Sequence, residues 1–347
     1  MVVKATRNIA ILVALSLSTS STFAAALNGA GSSFSEGLYK KWGAAYGAAT
    51  GKDLSFTPTD SGEGIKSVLE RRSDFGASDE PLKSNDLEAR GIAQYPVALG
   101  GLVMAINLPG IPAGQVKLTP ELISDIYLGK IKRWNDPKIV ELNSQLPAKA
   151  LDVGIIPIYR TEPSGSTFIL SSYLDSTNTS WKAAGKGVKS AVTGLSGLPV
   201  KGSSAVVETL KKTIGGIAYL DYGRAAREKL DFTQLPNRMG VFLSASAESI
   251  QASTQYEAEK ARTYGDSDFY LVLANNDTYR GWPLSMATFV VVPKAGKDVN
   301  SVLDFIYWGY KNGDSSLREA GYVPLPDAMK LRVRQSWSRR FGYKAGF

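Results

Sequence analysis

Residues 95–107 read YPVALGGLVMAIN, apolar at every position but the last, and this run is expected to be a buried strand or strand pair. Residues 288–292, TFVVV, read as another buried strand. Working outward toward the N-terminus, Leu38, Trp42, Ala45, Tyr46 and Ala49 recur at helical spacing, as do Ile65, Val68 and Leu69. A short strand is expected between them at Leu54–Thr57. Glycines cluster where the apolar runs give way to helical patterns, and strands alternating with helices predict an α/β architecture. The stretch Asp231–Asn276 has the weakest periodicity and is expected to hold loops and helices. No internal repeat and no low-complexity segment interrupts the chain.

The first residues have another character. Lys4 and Arg7 precede an apolar run from Ile9 to Leu17, and small residues follow, ending in Ala24, Ala25 and Ala26. A charged start, a short apolar stretch and a small-residue site describe an export signal over residues 1–26. The apolar run is too short for a bilayer core, which needs ~20 residues. About 320 residues then remain, more than one hydrophobic core usually holds, so two lobes are expected.

Composition removes several classes of chemistry. With no cysteine, the chain has no disulfide scaffold, thiolate metal site, cysteine nucleophile or lipid-modified N-terminal cysteine. With no histidine, it lacks Ser-His-Asp triads, HExxH zinc sites and the usual acid–base catalyst near neutral pH. The formal charge of +8 is concentrated at the two ends. Lys330, Arg332, Arg334, Arg339, Arg340 and Lys344 stand against the single Asp327, and no basic stripe carries interleaved aromatics. That segment reads as a solvated terminal helix, and no nucleic-acid partner is expected.

Three helix starts are rich in hydroxyls and small residues. Ser32-Ser33-Phe34 follows Gly29-Ala30-Gly31, Asp60-Ser61-Gly62 precedes Ile65, and Ser164-Gly165-Ser166-Thr167 precedes Phe168, Ile169 and Tyr173. Helix starts leave backbone N–H groups unpartnered at the positive end of the dipole and so attract anions, although serine is also a routine cap. Arg160 lies just before the third start, where its guanidinium could fork onto a phosphate or pair with Glu162. Asp79 ends a Gly-Ala-Ser-Asp run and reads as either a site carboxylate or another cap. Two tempting motifs fail: Gly47–Asp53 is one residue short of a P-loop, and Gly29-Ala30-Gly31 has Phe34 where a dinucleotide fingerprint needs glycine.

Taken in order, six segments resemble the periplasmic phosphate-binding proteins of phosphate-specific ABC transport systems. They are Gly29-Ala-Gly-Ser-Ser-Phe34, Asp74-Phe-Gly-Ala-Ser-Asp79, Asp125-Ile-Tyr-Leu-Gly-Lys-Ile-Lys-Arg-Trp134, Arg160 with Ser164-Gly-Ser-Thr-Phe168, Gly215-Gly-Ile-Ala-Tyr219, and Trp282-Pro283. The resemblance implies a two-lobed periplasmic binding protein fold of type II with the ligand cleft between lobes. Lobe 1 is then discontinuous, residues 27–105 and 283–347, and lobe 2 is residues 106–282. Carried over by position, the phosphate-binding residues are Ser33, Phe34, Ser61, Asp79, Arg160, Ser164, Gly165 and Ser166. Asp79 matches the carboxylate that accepts the proton of hydrogen phosphate.

The chain departs from the family beside the arginine, where Glu162 and Pro163 stand in place of an aspartate and a glycine. Glu162 is expected to orient Arg160 without touching the anion. Ser33 and Ser166 stand where threonines are common. The resemblance further implies no cofactor and no bound metal, a periplasmic monomer, and partners limited to inorganic phosphate and the membrane permease of a phosphate ABC importer. Other oxyanions (arsenate, sulfate, molybdate), a phosphatase using Ser33 or Ser166 as nucleophile, and a scaffold protein presenting its basic terminus stay open at this point.

Overall fold

The computed structural model describes residues 26–254, 268–296 and 299–344. The expected export signal lies outside the described residues but for Ala26. The architecture is α/β, and the organising element is β4, Ile92–Ile106, buried at every position. The apolar run at 95–107 is therefore a single strand, starting three residues earlier than its apolar core suggests.

This strand serves two neighbourhoods. Its first part, Ile92–Gly101, pairs antiparallel with β11, Ser285–Pro293. Its second part, Leu102–Ile106, pairs antiparallel with β7, Gly216–Asp221. Outward from β11 lie β3 (Phe75–Ser78), β1 (Leu27–Ser32) and β2 (Leu54–Thr59). Outward from β7 lie β5 (Ile156–Arg160) and β6 (Leu198–Val200). We call these the first and second halves of the sheet. A strand covered on both faces needs no polar side, and this is why residues 95–107 show no alternation.

Parallel pairs joined by helices make up each half. β1 runs parallel to both β2 and β3, and β5 runs parallel to both β6 and β7. Helices Glu36–Thr50, Ser61–Leu69, Gly165–Thr177 and Ser203–Lys212 occupy the crossovers after β1, β2, β5 and β6. Such connections place each helix start at the carboxyl end of the preceding strand, where open parallel sheets bind ligands. The hydroxyl-rich starts are thereby gathered by topology.

Several expectations need correction. In helix Glu36–Thr50 the buried stripe is Leu38, Tyr39, Trp42, Gly43 and Tyr46, whereas Ala45 and Ala49 are exposed. Alanine favours helix without needing burial, so its spacing carries less positional information than that of Trp42. The terminal helix Asp327–Phe341 is not simply solvated: Met329, Lys330, Val333, Ser336 and Trp337 are buried. Trp337 stacks on Tyr310 with centroids 5.8 Å apart, and Lys330 Nζ lies 2.8 Å from Asp314. Part of the terminal positive charge is thus consumed in ion pairs.

Segment 231–254 holds only short elements. These are β8 (Asp231–Phe232), a hairpin of β9 (Leu235–Pro236) and β10 (Phe242–Leu243), and a helix at Ala247–Ala252. None is long enough to establish a period, which explains the weak signal in its sequence.

Candidate functional site

Helix starts from the two halves face each other, and the contacts between them define a cleft. Ser33 Oγ of the first half lies 2.7 Å from Ser203 Oγ of the second. Gly62, in the turn after Ser61, faces Pro163, whose Cβ would stand 3.5 Å from a Cβ placed on the glycine. At the mouth is a groove of about 580 Å³, lined from one side by Glu36 and Asp60 and from the other by Glu162, Lys201 and Arg224.

The first half contributes three features. Gly31 has φ +140°, and a Cβ there would stand 2.2 Å from the Ala77 carbonyl oxygen, so only glycine lets β1 turn into the short 3₁₀ segment Ser33–Ser35. Ser32, not Ser33, caps that segment by accepting from the Phe34 N–H at 3.1 Å. The Phe34 amide, expected to serve an anion, is therefore engaged with its neighbour's hydroxyl. The Phe34 ring fills the space over Gly100, its carbonyl accepts from the Tyr322 hydroxyl, and the two rings meet edge-on at 5.0 Å. At the second start Asp60 is the cap, accepting from Glu63 N–H at 2.8 Å. Ser61 Oγ instead accepts from the Asp79 N–H at 3.1 Å, leaving its own hydrogen to be donated elsewhere.

Asp79 is buried at the end of β3 and caps no helix. The Ser32 hydroxyl donates to its Oδ2, while Oδ1 has no hydrogen-bond partner among the described residues. Burial pushes this carboxyl up to about 6, against the opposing pull of the nearby Ser32 and Thr288 hydroxyls.

The second half contributes the cation. Arg160 ends β5 and is buried, with its backbone N–H donating to the Tyr219 hydroxyl at 2.9 Å. Its Nε and Nη2 both reach Glu162 Oε1, and Nη1 donates to Ser203 Oγ at 2.9 Å. Glu162 Oε1 also accepts from the Gly202 N–H at 2.9 Å. Burial alone would raise the Glu162 carboxyl, but the guanidinium beside it and the Gly202 amide hold it below the usual range. The pair is thus a buried one rather than the surface pair that a two-residue spacing also allows. Ser164 stands at the N-cap position of Gly165–Thr177 yet makes no side-chain capping bond, its N–H donating to Ser190 O at 2.8 Å. Ser166 is buried one residue beyond Gly165, and Gly165 abuts Asp79.

The structure thus brings Ser33, Arg160 and Glu162 together through Ser203, and Ser61, Asp79 and Gly165 together at the end of β3, with Phe34, Ser164 and Ser166 their neighbours along the chain. Sequence reasoning did not place Ser32, Ser203 or Tyr219 at the site, although Ser32 stands in the first helix start and Tyr219 closes the Gly215–Tyr219 segment. Ser203 carried a readable signal, since Lys201-Gly202-Ser203-Ser204 before Val206, Val207 and Leu210 is a fourth small, hydroxyl-bearing helix start. Nothing in the sequence separates Ser32 from Ser33, because either hydroxyl suits the same turn. Among the described residues no group of three or more acidic side chains is placed to hold a metal, and no helix is long and apolar enough to cross a membrane.

In chemical terms the cleft offers hydroxyl and amide donors, one guanidinium and one acceptor carboxylate. Comparison with known proteins agrees with an anion-binding arrangement. The family described as the PBP superfamily domain matches residues 17–312. A phosphate-binding protein PstS from Pasteurella multocida is 36% identical over 338 residues, spanning 94% of this chain and 95% of the relative. One from Xylella fastidiosa is 35% identical over 319 residues, spanning 91% and 85%. Among solved structures, a phosphate binding protein from Stenotrophomonas maltophilia superposes with a TM-score of 0.64 at 20% identity, covering 90% of this chain and 94% of that one, and so shares the type II fold.

Proposed function

The chain belongs to the PBP superfamily and, within it, to the PstS-type phosphate-binding proteins, and from that premise we propose that it captures inorganic phosphate, as hydrogen phosphate, in the cleft between its halves and hands it to the membrane permease of an ABC importer. The observation that carries this reading is Asp79: a buried carboxylate whose Oδ1 accepts no hydrogen bond among the described residues, placed beside hydroxyl donors. A fully deprotonated anion would set lone pairs against that oxygen. Hydrogen phosphate has one proton to donate to it and acceptors for everything else. A site built around one such hydrogen bond can reject an analogue lacking it by ~10⁴-fold. Hydrogen arsenate carries the same proton and should compete, whereas sulfate and molybdate should not.

In this reading residues 27–105 with 283–347 form one lobe and 106–282 the other, with β4 crossing between them. Ser33, Phe34, Ser61, Ser164, Gly165 and Ser166 surround the anion, Arg160 neutralises it, and Glu162 holds Arg160. The protein acts as an exported monomer in the periplasm, its signal removed, and binds without turning its ligand over.

Calorimetry on protein unfolded, dialysed and refolded free of ligand tests the reading. Phosphate should bind and sulfate should not, and no phosphate should be released from a chromogenic monoester with or without added metals. Phosphate at a hundred times its Kd should add about 2.7 kcal/mol to stability, raising the melting temperature. A melting temperature unmoved by saturating phosphate would sink the proposal.

A further inference from the structure

We propose that Ser203 is a positioning residue that sets the direction of the Ser33 hydroxyl, linking the two halves of the cleft so that Ser33 can act only as a donor to the bound anion. This deepens the proposed function and rests on it. Ser203 opens the helix Ser203–Lys212 and is buried, and its Oγ meets two groups at once: Arg160 Nη1 at 2.9 Å and Ser33 Oγ at 2.7 Å.

Proton accounting then gives the chain a direction. A guanidinium has donors and no acceptor, so Ser203 Oγ must accept from Arg160. The hydroxyl's single hydrogen has Ser33 Oγ, 2.7 Å away, as its acceptor; in the reverse direction it would have no hydrogen-bond partner among the described residues. Ser33, having accepted, turns its own hydrogen away from Ser203 and into the cleft. The sequence of bonds runs from Arg160 to Ser203 to Ser33 to the anion, and each bond polarises the next.

The neighbouring turn supports the same role. Gly202 has φ +89°, a left-handed conformation that suits glycine, and its N–H donates to Glu162 Oε1 at 2.9 Å. The residue pair 202–203 thus grips both members of the Arg160–Glu162 pair, one through its carboxylate and the other through its guanidinium. Because Ser33 and Ser203 sit on opposite halves, their bond exists only while the halves are together. It should therefore slow release more than it speeds capture.

Stopped-flow and calorimetric measurements on the full chain with inorganic phosphate test this. Ser203→Ala should weaken phosphate binding by about tenfold, a loss in the range for a hydrogen bond to a charged group, and the change should fall in koff with kon nearly constant. Ser203→Thr, which restores the hydroxyl, should return the affinity to within about threefold of the parent. In a Ser33→Ala background, Ser203→Ala should cost less than about threefold, because coupled residues are not additive. The phosphate-free melting temperature of Ser203→Ala should match the parent's, which separates positioning from a general structural role. Equal costs of Ser203→Ala with and without Ser33, or no cost at all, would overturn the inference while leaving phosphate binding intact. Failure of the parent itself to bind phosphate would overturn the proposed function and this inference with it.

Discussion

Gly165 lies directly against Asp79: a Cβ on the glycine would stand 2.3 Å from the Asp79 Cβ and 2.9 Å from its Oδ2. One residue belongs to the helix start after β5 and the other to the end of β3, so the closed cleft depends on a missing methyl group. Gly165→Ala should leave each half folded but keep the halves from closing. We expect phosphate affinity to fall by about 100-fold or more, as a misplacement of about 1 Å at a preorganised site commonly costs. The phosphate-free melting temperature should change by only a few degrees, and solution scattering should no longer contract on adding phosphate. Full affinity in this variant would mean that the contact relaxes easily.

Asp79→Asn should narrow the preference for phosphate over sulfate, since an amide can donate to an oxygen that a carboxylate repels. Competition calorimetry measures the ratio, and an unchanged ratio would remove Asp79 as the discriminating group.

Asp79 should also leave a signature in the pH dependence of stability. Its carboxyl rises from 3.8 to about 6 on folding, so the protonated form is favoured in the native state. The stability this contributes is complete below pH 3.8 and is lost as pH rises through 6, amounting to about 3 kcal/mol while the halves are closed over Asp79. Urea melts between pH 4 and 7 should show this decline relative to Asp79→Asn, in which that component is absent. Parallel curves for the two proteins would contradict it.

The Arg160–Glu162 pair makes a separable prediction. Arg160→Ala should weaken phosphate binding by roughly 100-fold or more, because the dianion loses its charge-assisted partner. Glu162→Gln should cost only a few-fold, because Gly202 and Ser203 still hold the turn and the guanidinium. In the Arg160→Ala background the Glu162→Gln effect should nearly vanish. Equal effects in both backgrounds, read by calorimetry, would show the two side chains acting independently.

Gly100 is the fold's link to the site. A Cβ there would stand 2.3 Å from Phe34 Cζ, so Gly100→Ala must displace the ring that packs beside the first helix start. Overpacking of this kind costs about 1–3 kcal/mol. Urea denaturation should register that loss, and phosphate affinity should fall with it as the Ser33–Phe34 segment shifts. A variant as stable as the parent would show that Phe34 can move aside freely.

The readable parts of this protein are those whose signals are local. The unbroken apolar run in β4, the spacing of Leu38, Trp42, Tyr46, Ile65 and Val68 in the first two helices (though not that of Ala45, Ala49 and Leu69, which are exposed) and the serines at three helix starts all follow from backbone geometry within a few residues. The Arg160–Glu162 pair was readable for the same reason, since two positions on one strand end are never far apart. By contrast, Ser32 against Asp79, Asp79 against Gly165 and Ser33 against Ser203 join residues separated by 47, 86 and 170 positions. Only the pairing of β1 with β3 and the facing of the two halves bring them together. Directly after Gly31, with its φ of +140°, Ser32 meets Asp79 and Ser33 meets the opposite half. Local sequence supplies the donors, and tertiary structure decides where each proton points, because a hydroxyl's direction is set by the partners that packing places around it.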